Sequence, residues 1–123
     1  MKLSLSDESH SFHITSYEEG SFSVNLQPYS GRHIFTGDKP PAPWTVSTIE
    51  ELTPALLQIE DILKQDLVII GTGKTLVFPD DQCLSYLYDM QVGFEIMDTA
   101  AACRTFNILL SEGRNALAAL IAI

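Results

Sequence analysis

The sequence predicts an α/β fold: a three-layer domain whose central mixed sheet is flanked by helices and extended by antiparallel strands at the N-terminus. Three observations support this fold class. The N-terminal third alternates apolar and polar side chains with a period of two, most regularly in residues 22–26. From Trp44 onward, strand-like and helix-like segments alternate, which is typical of a mostly parallel sheet covered by helices. Residues 67–70 form a continuous apolar run, as expected of a strand that is covered on both faces.

The N-terminal segments are predicted to be strands. Residues 12–17 and 22–26 predict a hairpin with a short glycine-containing turn, and residues 33–36 predict a third strand. The proline-rich residues 39–43 can supply few backbone hydrogen-bond donors. They therefore predict an extended surface connection that leads into residues 44–46.

Three helices are predicted in the rest of the chain. The first begins at Thr53, a suitable N-cap, and has Pro54 in its first turn. The second opens at Asp80 and Asp81, whose carboxylates suit the positive end of a helix dipole. The third follows a strand at residues 94–97, is capped by Asp98 and is stopped by Gly113, before a last buried strand. Its sheet-facing side is predicted to carry Ala102, Phe106 and Leu109.

The opposite side of the third helix carries a narrow polar stripe. Arg104 and Asn107 lie on this stripe with Ala100 and Ser111, and Cys103 adjoins Asn107 at a spacing of four residues. Such a stripe is either a solvated strip or the lining of a shallow cleft in which an arginine holds an anion or a partner carboxylate.

The segment G-T-G-K-T at residues 71–75 follows a buried strand and has to be compared with phosphate-binding loops. A Walker loop would need a glycine at the position of Val68, and the dinucleotide fingerprint would need one at the position of Leu76. The glycines are therefore predicted to form a tight turn with a positive φ at one of them. A glycine-rich turn at the carboxyl end of a strand is nevertheless where open α/β sheets commonly present a binding crevice.

Composition excludes several classes of function. A single domain over residues 1–123, 46% hydrophobic, leaves no room for a second core. The formal net charge of −9, with only seven basic residues, disfavours nucleic acid and anionic membrane surfaces. The chain contains no apolar run of about 20 residues, so no membrane insertion is expected. Its first residues resemble neither a secretory signal nor a mitochondrial presequence, which predicts a cytoplasmic protein with reduced Cys83 and Cys103.

A detailed combination of residues between positions 67 and 121 resembles a known family. These positions are Gly71, Thr72, Gly73, Pro79, Gly93, Glu95, Met97, Asp98, Thr99, Ala102, Arg104, Thr105, Asn107, Leu109, Glu112 and Arg114. They closely resemble the small α/β family that includes the adipogenesis-associated proteins and the mitochondrial complex I assembly factors. The resemblance implies a three-layer domain with a central mixed sheet. It also implies that some members bind other proteins as assembly or adaptor factors, and it points to a bacterial member here.

The predicted function is that of a cytoplasmic binding or adaptor protein, similar to an assembly factor, whose partner is another protein. The candidate binding residues are Gly71, Thr72, Gly73, Asp98, Thr99, Cys103, Arg104 and Asn107. The alternative is an enzyme acting on a small anionic metabolite, with Asp98, Cys103 and Arg104 in one pocket near the glycine turn. No cofactor and no metal are expected, and the sequence does not indicate an oligomeric state.

Overall fold

The computed structural model describes residues 12–18, 20–46, 49, 52 and 65–122. The strands in these ranges are β1 (Ile14–Glu18), β2 (Ser21–Val24), β3 (Gln27–Tyr29), β4 (Arg32–Thr36), β5 (Lys39–Pro43), β6 (Leu67–Gly71), β7 (Phe94–Met97) and β8 (Ala116–Ile121). The helices are α1 (Asp81–Asp89) and α2 (Thr99–Ser111).

The strands form two sheets. Strands β1, β2 and β3 make a three-stranded antiparallel sheet. The other sheet has the order β5-β4-β8-β6-β7, in which β6 runs parallel to both β7 and β8, whereas β4 runs antiparallel to β5 and β8. The predicted α/β class, with a mixed central sheet and antiparallel N-terminal strands, is confirmed.

Hydrophobic cores cover both faces of the five-stranded sheet. On one face, Ile69 packs with Phe106 of α2 and with Phe22 of the three-stranded sheet. On the other face, Val68 and Ile70 pack with residues that include Leu87 of α1. Successive side chains of β6 therefore enter opposite cores. Because both faces of the strand are buried, all of these positions are apolar.

The helix boundaries agree with the predicted signals. The side chain of Asp98 caps α2 by accepting a hydrogen bond from the N–H of Ala101 at 2.9 Å. At the other end Gly113 has a φ of 76°. The N–H of Gly113 then reaches the C=O of Leu110, and the N–H of Arg114 reaches the C=O of Leu109, both at 3.0 Å. This is a Schellman ending, for which glycine is the favoured residue because it has no Cβ.

Three details differ from the prediction. Residues 39–43 are extended as predicted, but they pair with β4 as the edge strand β5 rather than serving only as a connection. Prolines are tolerated in an edge strand because one of its sides has no neighbouring strand that needs a hydrogen-bond donor. Residues 44–46 continue from it without forming a strand, although Trp44 is buried. Strand β3 was not expected. The predicted helix that starts at Thr53 lies outside the described residues.

Candidate functional site

The glycine turn and the start of α2 are joined by reciprocal hydrogen bonds. The N–H of Gly73 donates to Oγ1 of Thr99 at 2.8 Å, and the N–H of Thr99 donates to the C=O of Gly73 at 2.9 Å. The N–H of Thr72 donates to the C=O of Met97 at the end of β7. The turn is therefore held against the carboxyl ends of two parallel strands. Five of the candidate residues lie in this one region, namely Gly71, Thr72, Gly73, Asp98 and Thr99.

Both glycines of the turn are required by its geometry. Gly73 has a φ of 99°, a backbone conformation that residues with a Cβ rarely adopt, and it fulfils the predicted positive φ. A Cβ at Gly71 would lie 2.8 Å from Cδ2 of Leu120 and 2.9 Å from Oγ1 of Thr99. The absence of a side chain at Gly71 therefore lets α2 approach β6 closely.

The threonine hydroxyls of the site are used internally. Oγ1 of Thr99, besides accepting from Gly73, donates to the C=O of Ile121 at 2.5 Å. Oγ1 of Thr72 donates to the C=O of Thr75 at 2.6 Å and accepts from the N–H of Val77 at 3.2 Å. These bonds shape the loop after the turn, and they leave neither hydroxyl oriented as a nucleophile.

Cys103 lies in the core rather than in a pocket. Its side chain is fully buried beneath α2. Burial raises the pKa of the Cys103 thiol to about 12, and the nearby positive charge of Arg104 only partly opposes this effect. Because the thiolate is the reactive form, this cysteine behaves as a small apolar core residue.

Asn107 was predicted to share an accessible stripe with Arg104, but it is only 5% exposed. Its Oδ1 accepts from the N–H of Ile14 at 3.0 Å, and its Nδ2 donates to the C=O of Ile14 at 2.5 Å. Strand β1 thus covers this part of the predicted stripe. The reason is a contact across 93 residues of sequence, which no local pattern reveals.

Arg104 remains on the surface. Its Nη1 donates to the hydroxyl of Tyr17 at 2.7 Å, and its guanidinium carbon lies 5.9 Å from the centre of the same ring. This is the geometry of a cation–π contact. Asp98 and Arg104 are therefore bound to different partners, the first to its own helix and the second to β1.

The loop that follows the turn exposes two large apolar side chains, which were not among the predicted site residues. Leu76 is 51% exposed and Phe78 is 58% exposed. Leu76 lies within the segment that Oγ1 of Thr72 closes by its bonds to Thr75 and Val77, and Phe78 lies between that segment and the start of α1. The sequence pattern that could have identified them is two apolar residues, two positions apart, between the glycine turn and Pro79.

Other types of site have little support in the described ranges. A cavity of about 50 Å³ is lined by β4, β5 and β8, including Thr36, Lys39 and Leu117, and it lies away from the glycine turn. Small-molecule sites commonly measure about 300 to 1,000 Å³. Within the part of the chain that the structure describes, no three His, Cys, Asp or Glu side chains are grouped to hold a metal ion. Nor does a helix in that part have the length and apolar character needed to span a membrane.

The chain was compared with known protein families, characterised proteins and solved structures. Residues 14–121 match the family described as Protein of unknown function (DUF498/DUF598). NADH dehydrogenase [ubiquinone] 1 alpha subcomplex assembly factor 3 of Xenopus tropicalis is 31% identical over 109 residues, covering 78% of this chain and 60% of the relative. The chain thus spans about three fifths of the length of that relative. The 13 kDa major membrane protein of Francisella tularensis is 23% identical, covering 80% of this chain and 81% of that protein.

Solved structures agree with the fold. The crystal structure of a Bordetella parapertussis protein superposes with a TM-score of 0.84 at 33% identity, covering 95% of this chain and all of that chain. The protein MT938 superposes with a TM-score of 0.70 at 17% identity, covering 91% of this chain and 98% of the other, which shows a shared fold. The match over residues 14–121 establishes that this chain belongs to the DUF498/DUF598 family of proteins of unknown function.

Proposed function

We propose that this protein is a non-catalytic adaptor that binds another protein through the loop that follows the glycine turn. The functional surface comprises the turn at Gly71, Thr72 and Gly73, the exposed side chains of Leu76 and Phe78, and the adjoining start of α2. The observation that carries the proposal is the display of two large apolar side chains on a loop that the hydroxyl of Thr72 holds through two hydrogen bonds. Exposed apolar groups on an ordered loop favour a protein contact.

The chemistry of the candidate residues supports binding over catalysis. The hydroxyls of Thr72 and Thr99 and the amide of Asn107 are all committed to backbone partners. Cys103 is buried with a strongly raised pKa. An enzyme acting on an anionic metabolite would need a nucleophile or base that faces the substrate, and these four side chains do not supply one.

The relatives support a protein partner. Several are named assembly factors of the NADH dehydrogenase 1 alpha subcomplex, and the name describes action on other proteins. We extend to this chain only the binding of another protein, and not the identity of that protein. We further propose a bacterial, cytoplasmic protein, which the two free, buried cysteines support.

The test is quantitative affinity capture from cells of the source organism. Tagged wild-type protein is compared with a Leu76→Ser, Phe78→Ser double variant and with Leu26→Ser as the matched control. Leu26 is 84% exposed in the turn between β2 and β3, so the control also removes an exposed apolar side chain. We expect the wild type and the control to retain the same protein, in near-stoichiometric amount, and the double variant to lose it.

Two results would contradict this proposal. Equal retention of that protein by the double variant would show that the loop is not the contact surface. Retention of a small anionic metabolite instead of a protein, seen by native mass spectrometry, would favour the enzyme alternative.

A further inference from the structure

The two edges of the five-stranded sheet differ in their capacity to accept another strand. Strand β5 forms one edge and contains Pro40, Pro41 and Pro43 among its five residues. Prolines cannot donate to a ladder and therefore protect an edge. Strand β7 forms the other edge and contains no proline.

The pairing of β7 with β6 fixes which of its backbone groups face outward. The C=O of Gly93 accepts from Val68, and the C=O of Met97 accepts from Thr72. The direction of the backbone groups alternates from residue to residue along a strand, so the N–H and C=O of Glu95 also point toward β6. The N–H and C=O groups of Phe94 and Ile96 therefore point away from the sheet, and among the described residues no further strand adjoins them.

The side chains along this edge are chemically distinct on its two faces. Phe94 lies half-buried on one face, and its ring meets that of Tyr88 edge-on with 5.2 Å between the ring centres. Tyr88 itself is 70% exposed. Glu95 lies exposed on the opposite face. An incoming strand would thus meet an aromatic pair on one side and a carboxylate on the other.

A second copy of this chain fits the edge poorly. Two β7 strands could pair antiparallel, with Phe94 of each copy opposite Ile96 of the other, so that the outward backbone groups of both residues are used. This register places the two Glu95 side chains directly opposite each other. Like charges directly opposite each other destabilise a sheet. The net charge of −9 on each copy opposes the pairing further.

From these observations we propose that β7 receives an extended segment of a basic partner protein as an additional strand. Backbone hydrogen bonds to Phe94 and Ile96 hold the segment. A lysine or arginine in the segment faces Glu95, and a neighbouring apolar side chain packs on Tyr88 and Phe94. This inference rests on the proposed protein-binding function and names the chemistry of the partner.

The direct test uses a fluorescent heptapeptide in which lysine and valine alternate. A matched peptide carries glutamate in place of lysine, and a third is the lysine peptide with alternate backbone nitrogens methylated. We expect fluorescence anisotropy to detect binding of the lysine peptide alone. Amide hydrogen exchange should then show protection of Phe94 and Ile96, which exchange quickly in the free protein.

Two substitutions at one position separate backbone pairing from side-chain contact. Ile96→Pro removes an outward N–H and leaves the ladder to β6 intact, whereas Ile96→Ala keeps that N–H. We expect Ile96→Pro to weaken lysine-peptide binding at least about tenfold and Ile96→Ala to weaken it less. Glu95→Lys should transfer the preference to the glutamate peptide. If Ile96→Pro does not fold, the methylated peptide makes the same comparison on the wild-type protein.

The proposal is overturned if neither peptide binds, if the methylated peptide binds as well as the lysine peptide, or if Ile96→Pro binds undiminished. It is also overturned if sedimentation shows a wild-type dimer that Ile96→Pro dissociates, because the edge then pairs with a second copy. These outcomes leave the proposed function intact when the Leu76→Ser, Phe78→Ser variant still loses its captured protein. Failure of that capture experiment, by contrast, removes the adaptor function itself.

Discussion

Replacing Asn107 with alanine should destabilise the protein far more than a surface substitution does. The amide of Asn107 satisfies both the N–H and the C=O of Ile14, and Ile14 is itself fully buried. Each buried polar group left without a partner costs about 1–3 kcal/mol, so the loss of two partners in Asn107→Ala should lower the free energy of unfolding by roughly 2–6 kcal/mol. That is a large part of the roughly 5–15 kcal/mol typical of a domain.

Urea denaturation followed by circular dichroism measures this loss. With a urea dependence of roughly 1–3 kcal/mol per molar, the midpoint should fall by about 0.7 M or more. Arg104→Ala is the matched control on the same helix, because it removes a partly buried side-chain contact between α2 and Tyr17 of β1 and leaves the backbone of β1 bonded. The control should change the free energy of unfolding by about 1 kcal/mol or less.

A second measurement locates the effect. In Asn107→Ala, the amide of Ile14 should exchange with solvent faster than the amides of β6, because the bond that holds β1 to α2 is lost. A loss below about 1 kcal/mol in Asn107→Ala, or an equal loss in Arg104→Ala, would refute the reasoning that the Asn107 amide holds β1 in place.

Two further predictions concern titratable groups. Burial lowers the pKa of His33, whose Nδ1 has no hydrogen-bond partner among the described residues and whose ring centre lies 5.0 Å from that of Tyr29. The unfolded chain therefore binds a proton more readily than the folded one, so this contribution to stability is present above about pH 6.5 and is lost as the pH falls through the folded-state pKa. The melting temperature of the wild type should fall more between pH 7.5 and pH 5.5 than that of His33→Phe, and parallel curves would contradict this. For the cysteines, a thiol-reactive dye at pH 8 should label neither Cys83 nor Cys103 quickly in the native protein and both after denaturation, because burial raises both pKa values. Rapid labelling of Cys103 in the native state would show that it is accessible and reactive.

The parts of the fold that depend on local signals were predictable. Asp98 and Gly113 mark the ends of α2 by capping chemistry that involves only neighbouring residues. The apolar run of β6 reflects its two covered faces. The proximity of the glycine turn to Asp98 also followed from topology, because parallel neighbouring strands end at the same edge of a sheet.

The parts that depend on distant contacts could not be predicted. Asparagine at position 107 is typical of an exposed helical position, and it is buried here only because β1 packs over it. Residues 39–43 have the composition of a loop, and their pairing with β4 depends on the register of that strand. The short strand β3 follows a turn in which Asn25 and Leu26 both have a positive φ, which is unusual for leucine.

The position of β1 also decides which surfaces remain available for function. By covering Asn107 and engaging Arg104 through Tyr17, β1 removes most of the predicted polar stripe from contact with a ligand. The hydroxyls at the glycine turn are likewise occupied by backbone groups. Among the surfaces that the described residues still offer a partner are the apolar side chains of Leu76 and Phe78 and the outward backbone groups of β7. The N–H of Thr72 donates to the C=O of Met97, so the loop and the β7 edge adjoin at one end of the β6–β7 pair. The two surfaces are therefore close enough for a single protein partner to contact both.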